Sequence, residues 1–133
     1  MFERFLLLGA LVAFGLTACG GGTDDPTGRT WTLTELDGTP AIEGTLVTLT
    51  FSDGKVFGSG GCNQYNGSAT WGEGDLTIEP TIASTRMACQ EPVMNQESAF
   101  LAILPQATAY RVGGDALDLL DEDGAVLARL SAS

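Results

Sequence analysis

The sequence predicts a mainly β domain, a small antiparallel barrel with one α-helix, and three observations support this. Apolar and polar residues alternate over several short stretches, which is typical of strands with one buried face. Glycine-containing hairpin signals separate these stretches. A single segment with helical spacing interrupts them. Closing roughly eight short strands into a barrel would remove the exposed sheet edges, so we expect a barrel with the helix across one end or face.

The predicted strands follow one another with short connections. The first two alternate apolar residues with threonines, and their apolar positions are Trp31, Leu33, Val47, Leu49 and Phe51. Ser52-Asp53-Gly54 then signals a hairpin, after which Val56 and Phe57 begin a returning strand. We expect further strands near residues 69–71, 76–78, 108–112, 116–120 and 126–130. Hairpins are predicted between them, around residues 73–75, 113–114 and 121–124.

The segment Pro92–Leu104 has a different period and predicts the helix. Proline is favoured in the first turn of a helix, and Pro105 is expected to end it. Glu97 and Ala99 lie among the apolar residues, which recur at helical spacing and are Val93, Phe100, Leu101 and Leu104.

The N-terminus predicts export and lipid attachment. Phe5–Leu16 is an apolar run behind Arg4, too short to span a bilayer core, which needs about 20 residues, but suited to a signal peptide. It ends in Leu-Thr-Ala-Cys, a lipobox pattern in which the thiol of Cys19 receives diacylglycerol. We therefore expect residues 1–18 to be a signal peptide and Cys19 to anchor the chain in the membrane. The alternatives are an ordinary signal peptide or a buried N-terminal helix.

Residues 19–29 are expected to be a flexible tether, because residues 20–28 include no hydrophobic side chain. The remaining residues, 30–133, number about 100, which is enough for one compact domain. The residue after the cysteine is Gly20 and not aspartate. This is compatible with sorting of the lipoprotein to the outer membrane, where the domain would face the periplasm, if the cell has two membranes.

Charge and composition exclude several functions. The formal net charge is −11, which disfavours nucleic acid and anionic membrane surfaces as partners. The chain contains no histidine, so Ser-His and Cys-His nucleophile pairs are excluded. The glycine string at residues 58–61 lacks the last glycine of a dinucleotide fingerprint, and residues 119–130 lack calcium-ligand spacing. We expect a protein that is not an enzyme and has no cofactor and no metal.

Two of the three cysteines are candidates for a disulfide. If Cys19 carries lipid, Cys62 and Cys89 remain as a pair in an oxidising compartment. Two free buried thiols, or a metal site with half of its ligands missing, are the alternatives that the sequence leaves open.

Two polar segments are candidate sites. In residues 61–67, Asn63, Tyr65 and Asn66 form either a structural Asx-turn, which we favour, or a ligand-binding loop. In residues 85–89, we expect Arg86 to form a structural ion pair with Glu91 or Glu97; recognition of an anionic ligand is the alternative.

These segments and their surroundings resemble the META domain family, and in particular its heat-shock protein HslJ-like lipoproteins. The resemblance covers nearly all of the domain. Its residues are Trp31-Thr32-Leu33 with Gly38, Phe51, Gly60-Gly61-Cys62-Asn63 with Tyr65 and Gly67, Thr85-Arg86-Met87-Ala88-Cys89, Glu97 with Phe100 and Leu104, and Leu117 with Leu119. It implies a barrel of lipocalin-like topology with one helix, a location in the cell envelope, a role in envelope stress and no enzymatic activity. It also implies a structural role for the matching positions, which are Gly61, Cys62, Asn63, Tyr65, Gly67, Arg86 and Cys89.

We therefore expect a non-enzymatic envelope lipoprotein that supports stress tolerance by binding a protein or an envelope component. One alternative is a carrier of a small apolar ligand, which needs a barrel cavity of several hundred Å³. Small barrels are usually filled by side chains, and Trp31, Phe51, Phe57 and Trp71 are the candidates to fill this one. Another alternative is inhibition of a secreted hydrolase such as lysozyme, a basic enzyme that the acidic charge would suit.

Overall fold

A computed structural model describes residues 24–132 of the protein. The predicted signal peptide at residues 1–18 and Cys19 lie outside these residues. The strands are β1 (Trp31–Leu36), β2 (Thr39–Pro40), β3 (Thr48–Ser52), β4 (Lys55–Ser59), β5 (Gln64–Gly72), β6 (Asp75–Ile78), β7 (Ala83–Ser84), β8 (Ala109–Gly113), β9 (Ala116–Leu120) and β10 (Val126–Ala132). The helix α1 (Glu91–Ile103) is followed by a single 3-10 turn (Leu104–Gln106).

Eight of the strands form a closed antiparallel barrel, which confirms the predicted fold class. Neighbours in the barrel follow the order β1, β3, β4, β5, β6, β8, β9 and β10. The barrel closes where β10 pairs with β1, from Trp31 opposite Ala132 to Leu36 opposite Ala128. The two-residue strands β2 and β7 pair onto β1 and β5. Closure leaves the eight barrel strands without a long exposed sheet edge.

The predicted hairpins are present, and two of them have the backbone geometry that twisted strands prefer. Asp53 and Gly54 have φ values of 49° and 76°, and Glu73 and Gly74 have 52° and 88°. Positive φ at both central residues is typical of the type I′ turn. In the turn between β9 and β10, the Asp121 carboxylate accepts hydrogen bonds from two backbone N–H groups of the same turn. This segment is therefore a hydrogen-bonded hairpin, as its sequence predicts.

Side chains fill the barrel interior. The central residues have no accessible surface, so no water-sized space lies against them, and they are Trp31, Leu49, Phe51, Val56, Phe100, Leu104, Leu117 and Leu119. The interior formed by the described residues therefore has no cavity for an apolar ligand, which argues against the carrier alternative. Trp71 is half-buried and packs edge-on against Phe51, with ring centroids 5.2 Å apart. The prediction that Phe57 fills the interior is wrong, because this side chain is 40% exposed on the outside of the barrel.

The helix lies within one residue of its predicted bounds and packs across one end of the barrel. Phe100 and Leu104 are fully buried there. Gln96 fixes the helix to the connection between β2 and β3, since its side chain accepts from the Ile42 N–H at 2.8 Å and donates to the Thr45 hydroxyl at 3.1 Å. Within residues 24–132, no helix has the length and hydrophobicity needed to cross a bilayer.

Packing begins before residue 30, inside the segment for which we predicted a tether. Pro26 is fully buried, and its carbonyl oxygen accepts a hydrogen bond from the indole N–H of Trp31 at 2.9 Å. The guanidinium of Arg29 lies 4.4 Å above the Trp31 ring and forms an ion pair with Asp115. The part of the tether prediction that covers residues 19–23 lies outside the described residues.

Gly58 lies where β4 passes close to the backbone of Thr48 at the start of β3. A Cβ atom at position 58 would overlap the Thr48 carbonyl oxygen and lie 2.8 Å from its carbonyl carbon. Because these are backbone atoms, no side-chain rotation would relieve the overlap. The strands would have to separate.

We expect Gly58→Ala to lower the free energy of unfolding by about 1–3 kcal/mol, because the added methyl group overpacks this crossing. The matched control is Gly72→Ala, where a Cβ would meet no atom within 4 Å. The control should change stability by no more than about 0.5 kcal/mol. Urea unfolding of both variants is the measurement, and equal stability of the two would contradict the close contact.

Candidate binding site

One end of the barrel contains a buried polar pair, Glu97 of α1 and Asn63 before β5. Each is only 4% exposed. Oε1 of Glu97 accepts hydrogen bonds from the backbone N–H groups of Cys62 at 3.0 Å and Asn63 at 2.6 Å. Oε2 of Glu97 accepts from the side-chain amide of Asn63 at 2.7 Å. Three N–H donors thus satisfy the carboxylate and attach the helix to the loop between β4 and β5.

The amide oxygen of Asn63 holds a second segment, residues 85–87. It accepts from the Thr85 hydroxyl at 3.0 Å and from the Met87 backbone N–H at 2.6 Å. The Asn63 amide nitrogen also approaches the Met87 carbonyl oxygen, at 3.3 Å. One buried asparagine therefore connects the helix, the loop before β5 and the segment that leads into the helix.

The predicted disulfide between Cys62 and Cys89 is present, with Cα atoms 6.1 Å apart. It crosslinks the same two segments that Asn63 connects by hydrogen bonds. Closing a loop with a sequence separation of 27 is expected to stabilise the fold by roughly 3–4 kcal/mol in the chain-entropy model.

Gly60 is required by the close approach of this loop to the helix. A Cβ at Gly60 would lie 2.6 Å from both Cγ and Oε1 of Glu97. Gly61 has a φ of 114°, a value that side chains rarely adopt, and a Cβ at Gly67 would lie 3.3 Å from Ile82. The contacts at Gly60 and Gly67 and the backbone conformation of Gly61 disfavour a side chain at these positions.

The alternative ligand-binding set of Asn63, Tyr65 and Asn66 is not assembled. The Tyr65 hydroxyl is buried and donates to the Thr48 carbonyl oxygen at 2.7 Å, while its ring packs edge-on against Phe100. Burial raises the pKa of Tyr65 far above its ordinary value of 10, so the hydroxyl stays protonated. Asn66 is exposed on the outside of β5. The geometry favours the structural interpretation of this segment.

The predicted ion pair of Arg86 with Glu91 or Glu97 is wrong. The ion pairs among residues 24–132 join Arg29 to Asp115, and Arg111 and Arg129 to Asp118. Glu97 instead uses both of its oxygens to accept N–H groups. Arg86 is exposed, and its charge has no carboxylate partner in the described part of the chain.

A cleft of about 430 Å³ opens between residues 84–88 and the helix, and we call it the 84–88 cleft. Asn63 and Glu97 form part of its wall. The helix also contributes Met94, Ser98 and Leu101. Met87 is 59% exposed, so its apolar side chain is available for contact in the cleft. Another cleft, beside Glu35 and Arg129, is smaller, at about 190 Å³, and has fewer large apolar side chains in its wall.

Sequence reasoning missed the contact between Asn63 and Glu97, although one signal was available. Glu97 lies four residues after Val93 and three before Phe100, so it occupies the apolar face of the helix. A carboxylate on a buried face requires nearby donors. That requirement predicts a partner, but not which residue supplies it.

Comparison with known proteins identifies the family of this helix-capped, closed barrel. The model of the META domain matches residues 24–133, so the chain belongs to the META domain family. No curated protein sequence matches it. An NMR structure of a protein from Burkholderia xenovorans is similar, with 28% identity, a TM-score of 0.65, and coverage of 81% of this chain and 83% of that one. A second NMR structure, at 20% identity, shares the fold, with a TM-score of 0.60 and coverage of 77% of this chain and 87% of that one.

We expect Glu97→Gln to lower the free energy of unfolding by about 2–3 kcal/mol. The NH₂ group of the new glutamine would replace one carboxylate oxygen and would face N–H donors of Cys62 or Asn63. The matched control is Glu79→Gln, which removes the same charge from an exposed position and should change stability by no more than about 0.5 kcal/mol. Urea unfolding compares the two. If Glu97→Gln lowered the free energy of unfolding no more than Glu79→Gln does, the carboxylate at position 97 would not be needed.

Proposed function

We propose that this META domain protein is a non-enzymatic lipoprotein of the cell envelope that supports stress tolerance by binding a protein or an envelope component in the 84–88 cleft. One observation carries the proposal. The exposed apolar side chain of Met87 lies beside Arg86, which has no carboxylate partner among residues 24–132, on a segment that Asn63 and the disulfide hold in place.

The apolar part of the cleft suits a macromolecular ligand. Met87 is largely exposed, and Met94 and Leu101 lie across from it on the helix. Methionine side chains are flexible and polarisable, so they adapt to partner surfaces of different shape. Burying these side chains against a partner would remove apolar surface from water.

The charge of the cleft differs from that of the rest of the chain. The formal net charge is −11, whereas Arg86 places at the cleft a positive charge that has no carboxylate partner in the described part of the chain. A guanidinium pairs with a carboxylate or a phosphate through two parallel hydrogen bonds. The net charge also disfavours nucleic acid and bare anionic membrane as the ligand.

The contacts of Glu97 in the cleft favour a binding role for the cleft over a catalytic one. Glu97 is the carboxylate in the cleft wall, and three N–H groups already occupy its oxygens. A general base needs a free oxygen within reach of the proton that it abstracts. These contacts make Glu97 a structural group.

Membrane attachment is the first test. Cells that express the chain with an alkyne-tagged fatty acid should incorporate the tag, and the chain should sediment with membranes. Cys19→Ser should abolish labelling and leave the signal peptide uncleaved. The control is Cys62→Ser, which should leave lipid labelling unchanged. Labelling that survives Cys19→Ser would contradict the lipid anchor.

The 84–88 cleft is tested by photocrosslinking in intact cells. A photoreactive amino acid at Met87 should give a discrete crosslinked product. The same amino acid at Phe57, an exposed apolar position outside the cleft, is the control and should not give this product. A product that is equally abundant at both positions, or no product from Met87 under envelope stress, would overturn the assignment of the cleft.

A further inference from the structure

We propose that the 84–88 cleft binds an extended peptide segment of a partner protein, which adds as a strand to the outer edge of residues 84–86, while Arg86 pairs with a carboxylate of that peptide. This inference rests on the proposed function and specifies the class of its ligand.

The first observation is an unpaired strand edge. On one side, β7 pairs with β5, with Ser84 opposite Tyr65 and the Thr85 N–H bonded to the Gln64 carbonyl oxygen at 3.0 Å. In an antiparallel pair, successive residues direct their N–H and C=O groups to opposite sides. Ser84 and Arg86 therefore direct theirs away from β5. No strand among residues 24–132 pairs with β7 on that side.

The second observation is that this edge is preorganised. Beyond β7, the chain continues beside the loop before β5, because the Asn63 side chain bonds to the backbone of Met87. Glu97 in turn holds Asn63, and the disulfide to Cys62 holds Cys89. A peptide that pairs with this edge would lose its own conformational freedom without having to order the edge as well.

The third observation is that the edge runs along the 84–88 cleft. Residues 84–88 form one wall and the helix residues Met94, Ser98 and Leu101 belong to the other. A peptide strand places alternate side chains on opposite faces, so one set would contact the cleft walls. Strand addition takes affinity from main-chain hydrogen bonds and specificity from such side-chain contacts.

The positive charge of Arg86 at this edge favours a peptide that carries a carboxylate. Arg86 is exposed on the unpaired strand and has no carboxylate partner among residues 24–132. A carboxylate at the C-terminus of the peptide, or an acidic side chain in it, would supply that partner. An isolated anion would use Arg86 but would leave the main-chain groups of the edge unpaired, so we favour a peptide.

The experiment uses the purified full chain in detergent and a library of random peptides with free C-termini. Peptides selected on the wild type are examined by NMR-detected amide exchange. We expect the amides of Ser84 and Arg86 to exchange at least about tenfold more slowly with a peptide bound, because both become ladder donors. A selected peptide that leaves these two amides unprotected would refute strand addition.

Two pairs of variants separate the backbone contact from the charge contact. Ser84→Pro removes the outward N–H group and also fixes φ at this position, and it should weaken binding at least about fivefold. Ser84→Ala keeps the N–H group and should bind as the wild type does. Arg86→Gln should weaken binding of the carboxylate peptide by about tenfold, whereas Arg111→Gln, outside the cleft, should not. Equal binding by Ser84→Pro and Ser84→Ala would refute the proposed edge, and thermal unfolding verifies that both are folded.

The remaining outcomes distinguish this inference from the proposed function. Failure to select any peptide would overturn strand addition, while a crosslinked partner at Met87 would still support the cleft as a binding site. Protection of Ser84 and Arg86 that rises with protein concentration without peptide would identify a second copy of this chain as the occupant. That result would also overturn the proposed ligand.

Discussion

The structure depends on one buried carboxylate. Removing Glu97 from water costs several kcal/mol unless donors replace the lost hydration, and three N–H groups of Cys62 and Asn63 do so. These donors are available only when the loop between β4 and β5 adopts one conformation beside the helix. Gly60 makes that approach possible, since any side chain there would overlap Glu97. The position of the helix and the conformation of the loop are therefore determined together.

The same interaction determines the 84–88 cleft. Asn63 faces Glu97 with its amide nitrogen and the 85–87 segment with its amide oxygen, so the wall of the cleft is fixed by the residue that fixes the helix. The disulfide restrains the end of that wall at Cys89. The barrel itself is filled and contributes rigidity, whereas the proposed binding surface lies outside it, along a strand edge that no strand among residues 24–132 covers.

Periodicity and turn chemistry made the architecture predictable. Alternating residues such as Trp31 and Leu33 face the core, and pairs such as Asp53-Gly54 adopt the positive φ values that hairpins need. The cysteine count predicted the disulfide. The contact between Asn63 and Glu97 was not predictable, because the two residues are 34 positions apart and only the closed barrel brings them together. Arg86 was assigned to Glu91 or Glu97, both nearby in sequence, but it pairs with neither, and Glu97 accepts hydrogen bonds from Cys62 and Asn63 instead.

Native-state amide hydrogen exchange of the full chain tests the role of Glu97 most directly. If the carboxylate joins the loop and the helix into one unit, the amides of Asn63 and Met87 will exchange with the same free energy of opening as that of Phe100 in α1. They will also lose protection together in Glu97→Gln. Exchange of the Asn63 and Met87 amides at the rate of an exposed loop, with Phe100 still protected, would contradict a central role for Glu97.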